Sequence, residues 1–260
     1  MSNNEQLIEE IKSRQITGII FDWDGTLLDI SAPLRNSVEE GFKDKKIDID
    51  HTIKEIGAVM ESIQGFPMTK IILQSHDIVK YINAFKGMSF MSKLQLATKI
   101  FSKYLEYEKD APLFPEVETL LKHLSKDLDL YVVSHSQTKN IINHLEKHNL
   151  KKFFKGIFGA DNLPVLKPDP KVFHPVMRNY KPFHGDDFIV IGDMPTDIEA
   201  GREAGIWTIG ITSGISDKEV LKHSKPDLII SSLAELLDLF GIPRSEISKS
   251  NPKESLKVKS

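Results

Sequence analysis

The sequence has 260 residues, of which 40% are hydrophobic and 27% are charged, and its formal net charge is −3. This composition is typical of a soluble globular protein with one or two domains and a sizeable core. The small negative charge disfavours nucleic acid or a membrane surface as the main partner, and the absence of cysteine excludes disulfides and thiolate chemistry.

The chain begins with a polar, acidic segment over residues 1–15. This segment lacks the basic start and the apolar core of a secretory signal. No stretch of the sequence approaches the ~18 consecutive apolar residues of a membrane-spanning helix. We therefore expect a cytoplasmic protein that crosses no membrane, and both a monomer and a homodimer remain open.

Short apolar runs that suit strands buried on both faces recur along the chain. These predicted strands cover residues 17–21, 129–133, 187–191, 206–211 and 228–230. Helical patterns lie between them, at residues 115–126, 137–149 and 196–204. Because strands that alternate with helices form parallel sheets through right-handed crossovers, the sequence predicts an α/β fold with a doubly wound, Rossmann-like parallel sheet.

Residues 30–110 interrupt this alternation, because they contain helical patterns and no strong strand. The predicted helices cover residues 32–42, 49–60, 68–75 and 91–107. Since the insertion follows the first strand directly, we expect an α-helical cap domain over 30–110, inserted into an α/β core domain made of 1–29 and 111–243. The Ser- and Lys-rich remainder, 244–260, is expected to be a disordered tail.

Polar side chains follow several predicted strands at the points where the strands end. These residues are Asp22, Asp24, Ser134, Asp193 and Asp197. Because ligands bind beyond the carboxyl ends of the strands in an open parallel sheet, we expect these side chains to meet in one cleft, within reach of Lys167.

The expected cleft contains four carboxylates, which repel one another unless a counter-charge is present. A hard divalent cation supplies that charge, and Mg²⁺ is usually bound by a few carboxylates, by waters and by a phosphate oxygen. Lys167 adds a further positive charge. The sequence therefore predicts a magnesium site for a phosphorylated substrate.

The segment DWDGT at residues 22–26 indicates different catalytic roles for its two carboxylates. Asp22 and Asp24 point to the same side of an extended segment, so that one can attack phosphorus while the other handles the proton. Gly25 has no Cβ, which allows the backbone to turn tightly beside the phosphate.

Four motifs, in this order, resemble those of the haloacid dehalogenase-like superfamily, in particular its phosphoglycolate phosphatase and β-phosphoglucomutase branch with a helical cap. They are FDWDGTLLD at 21–29, YVVSHSQ at 131–137, LKPDPKVF at 166–173 and VIGDMPTDIEAGREAGIWTIGITSG at 190–214. The resemblance implies a magnesium-dependent phosphatase for a small phosphorylated metabolite, with phosphoglycolate as the leading candidate.

The resemblance also implies roles for the matching residues. Asp22 would be the nucleophile, and Asp24 the general acid and then the base. Asp22, the backbone carbonyl of Asp24, and Asp193 would bind Mg²⁺, while Asp197 would act through a water or hold the site in order. The residues that would bind phosphate and substrate are Thr26, Ser134, His135, Lys167 and, in a cap segment that resembles the specificity loop, Gly65.

The sequence departs from the family pattern at His135, where the family often has Asn. Either a direct contact with substrate or simple capping is open for this residue. Two other functions also remain open for the chain: a phosphosugar mutase that returns the phosphate to sugar, and a binding or regulatory protein without turnover.

Two histidines and one tryptophan are expected to have structural roles and no part in catalysis. His144 and His148 are expected on a solvated helix face rather than at a zinc site, because Leu145 stands where the metalloprotease motif has Glu. Trp23 is expected to fill space in the core.

Overall fold

The structure is a computed structural model that describes residues 2–43, 47–63 and 82–247, with the backbone alone for residues 57–63. The predicted helix at 68–75 and Gly65 lie outside the described residues.

The strands of the described residues form one parallel sheet. They are β1 (Gly18–Phe21), β2 (Asp129–Val133), β3 (Phe154–Phe158), β4 (Phe188–Gly192), β5 (Trp207–Ile211) and β6 (Leu228–Ile230). Their order across the sheet is β3-β2-β1-β4-β5-β6, and every neighbouring pair is parallel. The strand order therefore reverses between β1 and β4, and this switch point is where open α/β sheets bind their ligands.

The two strands at the switch point are buried on both faces. Their side chains alternate between two apolar clusters: Ile19 and Phe21 belong to one, and Ile20 to the other. In the register of the pair, Phe21 lies beside Ile191. The residues that follow, Asp22 and Asp193, consequently emerge close together at the same edge of the sheet.

Each predicted helix that falls on described residues is present, with ends that agree to within a few residues, and the structure adds four helices for which the sequence analysis gave no range, at 3–12, 174–177, 218–223 and 233–239. They are α1 (Asn3–Lys12), α2 (Ser31–Gly41), α3 (Ile49–Ile63), α4 (Phe90–Glu108), α5 (Val117–Leu124), α6 (Thr138–Lys147), α7 (His174–Met177), α8 (Pro195–Glu203), α9 (Lys218–His223) and α10 (Leu233–Leu239). The α/β fold with a doubly wound parallel sheet is thus confirmed. Within the described part of the chain, no helix combines the length and the apolar content that crossing a membrane requires.

The described residues of the predicted insertion, 30–110, include three α-helices and no strand of the sheet. α2 packs against both α3 and α4. Its close approach to α4 depends on Gly41, where an added Cβ would lie 2.4 Å from Ile100 Cγ1. This agrees with a helical insertion after the first strand, while the division into core and cap domains stays a prediction.

The insertion contacts the sheet-bearing part of the chain through a buried pair beneath the first motif. His144 Nε2 on α6 lies 3.4 Å from Glu108 Oε1 on α4, and the His144 ring lies 5.9 Å from the ring of Trp23. The expectation of a solvated position was wrong for His144, because this face of α6 packs on the core, whereas His148 is exposed as expected. Trp23 is fully buried, which confirms its place in the core.

Two local expectations differ from the structure. The sequence did not predict β3, because this edge strand is half-exposed and Lys155 interrupts its apolar run. The expected tail begins too early, since Arg244–Glu246 forms a 3₁₀ turn and Arg244 Nε donates to Asp238 Oδ1 at 2.9 Å. Residues 248–260 lie outside the described residues.

The end of β3 fixes the loop that follows β2. Ser134 N–H donates to Phe158 O at 3.0 Å, and Ala160 N–H donates to Ser136 O at 2.9 Å. Between these two bonds, Gly159 approaches the neighbouring backbone so closely that an added Cβ would lie 2.3 Å from Thr138 N and 2.4 Å from Ser136 O. The loop that carries the second motif is thus held by backbone contacts on both sides.

We expect Gly159→Ala to lower the free energy of unfolding by about 1–3 kcal/mol, because backbone atoms cannot move aside as a side chain can. Urea unfolding measures this change. The matched control is Gly210→Ala in β5, where the nearest atom to an added Cβ is the side-chain carbon Leu221 Cδ1 at 3.3 Å. Equal effects of the two substitutions would contradict the close backbone contact at Gly159.

Candidate active site

The first motif turns sharply away from the sheet as soon as β1 ends. Asp22 N–H donates to Ile191 O at 2.8 Å, which extends the pairing of β1 with β4 by one residue. The chain then turns back, and Trp23 O accepts hydrogen bonds from Leu27 N–H at 3.0 Å and Leu28 N–H at 2.9 Å. This turn leaves the carboxylates of Asp22 and Asp24 almost fully buried, with 4% and 5% of each residue exposed.

Three of the predicted acidic residues form a buried cluster at the switch point. Asp22, Asp193 and Asp197 each offer one carboxylate oxygen within 4.8 Å of the other two. Asp193 follows β4, and Asp197 lies in the first turn of α8. We call these three residues the Asp cluster.

Backbone donors hold two of these carboxylates in place. Ile215 N–H donates to Asp193 Oδ2 at 2.7 Å, and Met194 N–H donates to Asp197 Oδ2 at 3.1 Å. The other oxygen of Asp193, Oδ1, is buried and has no hydrogen-bond partner among the described residues. A buried carboxylate oxygen without a donor is unfavourable, so this atom suits a cationic ligand.

Lys167 enters the cluster from the loop after β3. Its Nζ lies 2.7 Å from Asp22 Oδ1 and 2.5 Å from Asp197 Oδ1, and its side chain is 2% exposed. Burial alone would lower the pKa of Lys167, but the charges of Asp197 and Asp22 outweigh burial and raise the pKa above its usual value. The lysine is therefore a cation that bridges two of the three carboxylates.

One ammonium group does not balance three carboxylates. Burial, together with the charges of Asp22 and Asp197, raises the pKa of Asp193 well above its usual value. Burial also raises the pKa of Asp197 to about 6, although Lys167 opposes this shift. Both shifts have the same physical meaning: the cluster takes up either protons or a further cation.

Three glycines make room for these carboxylates. A Cβ on Gly25 would lie 2.3 Å from Asp193 Oδ2, and one on Gly214 would lie 2.0 Å from the same atom. A Cβ on Gly192 would lie 2.2 Å from Asp197 Cγ. Gly25 therefore has two functions, since it also allows the turn with φ +76°.

Asp24 contacts two hydroxyl groups that the sequence did not identify. Ser136 Oγ donates to Asp24 Oδ2 at 2.5 Å, and the Tyr104 hydroxyl lies 3.4 Å from Asp24 Oδ1. Burial and the charge of Asp24 raise the pKa of Tyr104 well above its usual value, so the hydroxyl keeps its proton. Ser136 lies inside the second motif, whereas no local pattern distinguishes Tyr104 from the other apolar positions of α4.

The other predicted site residues, with one exception, are described and buried. Ser134 is buried, and its Oγ accepts a hydrogen bond from Ser136 N–H at 3.1 Å. Thr26 is also buried, and its Oγ1 has no hydrogen-bond partner in the ranges that the structure describes. His135 Nε2 accepts a hydrogen bond from the backbone N–H of Lys167 at 2.9 Å. Gly65 lies outside the described residues.

The chain is similar to a known protein family and to curated proteins. Residues 19–211 match the family described as haloacid dehalogenase-like hydrolase. A phosphoglycolate phosphatase of Shigella dysenteriae is 27% identical, over 92% of this chain and 98% of that protein. One from Vibrio parahaemolyticus is 24% identical, over 86% of this chain and 96% of that protein.

Solved structures share the fold along most of their length. A haloacid dehalogenase-like family protein of Streptococcus pneumoniae has a TM-score of 0.62 at 26% identity, covering 87% of this chain and 99% of that chain. A predicted phosphoglycolate phosphatase of Haemophilus somnus has a TM-score of 0.65 at 24% identity, covering 86% and 98%.

We expect Gly25→Ala to lower the free energy of unfolding by about 2–4 kcal/mol, because it adds backbone strain at positive φ and pushes Asp193 out of place. It should also abolish any increase in melting temperature that Mg²⁺ produces. Thermal unfolding with Mg²⁺ and with a chelator measures both effects.

The matched control is Gly241→Ala, where φ is +66° and no atom of the described residues lies within 4 Å of an added Cβ. This control should cost only the strain of about 1–2 kcal/mol and should keep the response to Mg²⁺. A full Mg²⁺ response in Gly25→Ala would mean that the position of Asp193 is not important for cation binding.

Proposed function

The chain belongs to the haloacid dehalogenase-like hydrolase family, and on this basis we propose that it is a magnesium-dependent phosphatase of a small phosphomonoester. The observation that carries the proposal is the contact of Lys167 with Asp22 and Asp197, beside Asp193, at the switch point of the sheet. A phosphatase needs this set of groups: a fixed carboxylate nucleophile, a cation for the phosphoryl oxygens, and acidic ligands for a metal.

The Asp cluster fits Mg²⁺ by its donor chemistry. It offers hard carboxylate oxygens within 4.8 Å of one another, and no donor in the described part of the chain meets Asp193 Oδ1. Asp22, Asp193 and the backbone carbonyl of Asp24 would hold the ion, while Asp197 would act through a water or keep the site in order. Bound Mg²⁺ neutralises negative charge on the phosphoryl oxygens.

In the first step, a carboxylate oxygen of Asp22 attacks phosphorus and forms an aspartyl-phosphate. The bond from phosphorus to the leaving oxygen breaks, and Asp24 gives its proton to that oxygen. Lys167 has three N–H donors, of which two meet Asp22 and Asp197, so one is left for a phosphoryl oxygen. Ser134 would bind the phosphoryl group from the other side, and Thr26 would support the binding site.

In the second step, a water oxygen attacks phosphorus while Asp24 accepts a proton from that water. The bond between phosphorus and Asp22 breaks, inorganic phosphate leaves, and both carboxyl groups return to their starting states. Ser136 and Tyr104 contact the two carboxylate oxygens of Asp24, so this group is held in position for both proton transfers.

Phosphoglycolate is the first substrate to test. Curated phosphoglycolate phosphatases of Shigella dysenteriae and Vibrio parahaemolyticus match this chain along nearly their whole length, at 27% and 24% identity. In the proposal, the helical insertion determines the substrate specificity. Gly65, outside the described residues, belongs to the segment whose sequence resembles the specificity loop of the family.

We expect the purified protein to hydrolyse para-nitrophenyl phosphate with Mg²⁺ and to lose this activity with a chelator. Asp22→Asn should lower kcat by about 10⁴-fold or more, because the nucleophile is lost. Release of nitrophenol measures the reaction, and a panel of phosphorylated metabolites that includes phosphoglycolate identifies the preferred substrate by kcat/KM.

The matched control for Asp22 is Asp29→Asn in the same motif. Asp29 Oδ1 accepts hydrogen bonds from Ser31 N–H at 3.0 Å and Ser31 Oγ at 2.5 Å, a capping task that Asn also performs. This control should keep wild-type kcat. A folded wild-type protein that hydrolyses no member of the panel would refute the phosphatase, and unchanged turnover in Asp22→Asn would refute its role as nucleophile.

A further inference from the structure

The imidazole of His135 contacts the backbone of Lys167. Its Nε2 accepts the N–H of Lys167 at 2.9 Å, and the residue is 5% exposed. A backbone amide can only donate, so Nε2 carries no proton in this contact. The imidazole is therefore neutral and has its proton on Nδ1.

The loop that carries His135 is itself rigid. Ser134 N–H is bonded to the end of β3 at Phe158 O, and Ser136 N–H donates to Ser134 Oγ at 3.1 Å. Ala160 N–H closes the far side of the loop on Ser136 O. The imidazole is thus a fixed acceptor, positioned by strands β2 and β3.

Lys167 needs such an anchor because its own segment belongs to no strand. It lies after β3 and before the 3₁₀ turn Pro170–Phe173, which Asp169 caps through its bond from Lys171 N–H at 2.9 Å. From this loop, the ammonium group must reach Asp22 Oδ1 at 2.7 Å and Asp197 Oδ1 at 2.5 Å. A displacement of about 1 Å in such a group can cost about 10²-fold in rate.

We propose that His135 is a positioning residue that acts through Lys167: its Nε2 fixes the lysine backbone so that the ammonium group meets the transferring phosphoryl group. This inference rests on the proposed phosphatase function. It replaces the direct substrate contact that the second motif suggested for His135. Every phosphomonoester presents the same phosphoryl group, so the contribution of His135 is the same for every leaving group.

Three variants separate this role from its alternatives. His135→Gln keeps an acceptor, because its side-chain oxygen is three bonds from Cβ, as Nε2 is in histidine. His135→Leu removes the acceptor and keeps an apolar side chain of moderate size. The matched control is His148→Gln, which changes an exposed histidine directly after the end of α6.

We expect His135→Leu to lower kcat by about 10–100-fold with a smaller change in KM, and by the same factor for para-nitrophenyl phosphate and for each active metabolite of the panel. His135→Gln should stay within a few-fold of wild type, and His148→Gln should equal it. Melting temperatures report whether each variant is folded.

Three kinetic results would overturn the proposal. Losses that differ between substrates would assign His135 to a direct contact with the leaving group. Wild-type kcat in a folded His135→Leu would remove any role. A folded His135→Gln as slow as His135→Leu would mean that the acceptor is not the important feature.

Nitrogen-15 NMR of the histidine side chains tests the contact without any turnover. We expect the His135 resonances of a neutral ring with the proton on Nδ1, and a proton on Nε2 would refute the contact. This measurement stands even if His135→Leu does not fold. It also separates the two proposals, since a wild-type protein with the expected tautomer but no hydrolysis would refute the phosphatase alone.

Discussion

The structure of the site follows from an imbalance of buried charge. Asp22, Asp193 and Asp197 are buried together at the switch point, where one ammonium group, that of Lys167, lies between two of them. Removing a carboxylate from water costs several kcal/mol, and an attraction between opposite charges offsets this cost only where the geometry is good. The protein supplies part of that geometry through the N–H groups of Ile215 and Met194. In the proposed function, a bound cation neutralises the negative charge that remains.

The fold brings these groups together mainly through the pairing of β1 with β4. The register that places Phe21 beside Ile191 brings the residue after β1 next to the residues after β4. Since both strands are continuous apolar runs, the sequence was sufficient to predict the strands, the edge at which they end and the acidic residues beyond them. Gly192 and Gly214 then leave room for the side chains of Asp197 and Asp193. The sequence does not reveal this need for glycine, because it follows from the short distances between an added Cβ and those side chains.

The features that the sequence did not reveal have a common cause, because each depends on contacts between distant parts of the chain. The hydrogen bond from Lys167 to His135 joins residues 32 positions apart, and the contact of Tyr104 with Asp24 spans 80 positions. His144 occupies a helix position that could equally face solvent, and its burial depends on residues distant in sequence, Glu108 on α4 and Trp23 after β1. β3 was not predicted because it is an edge strand whose side chains are only partly buried, so its apolar pattern is weak.

The two carboxylates of the first motif are anchored in different ways, although one residue separates them. The described partners of Asp22 are Lys167 and the backbone of β4, which belong to the sheet and its loops. Asp24, in contrast, meets Ser136 from the loop after β2 and Tyr104 from the helical insertion. In the proposed mechanism, the nucleophile always attacks the same phosphoryl group, while the proton donor meets a leaving group that differs between substrates. The sheet and its loops therefore hold Asp22, whose step is the same for every substrate. The helical insertion contacts Asp24, whose proton goes to a leaving group that differs between substrates.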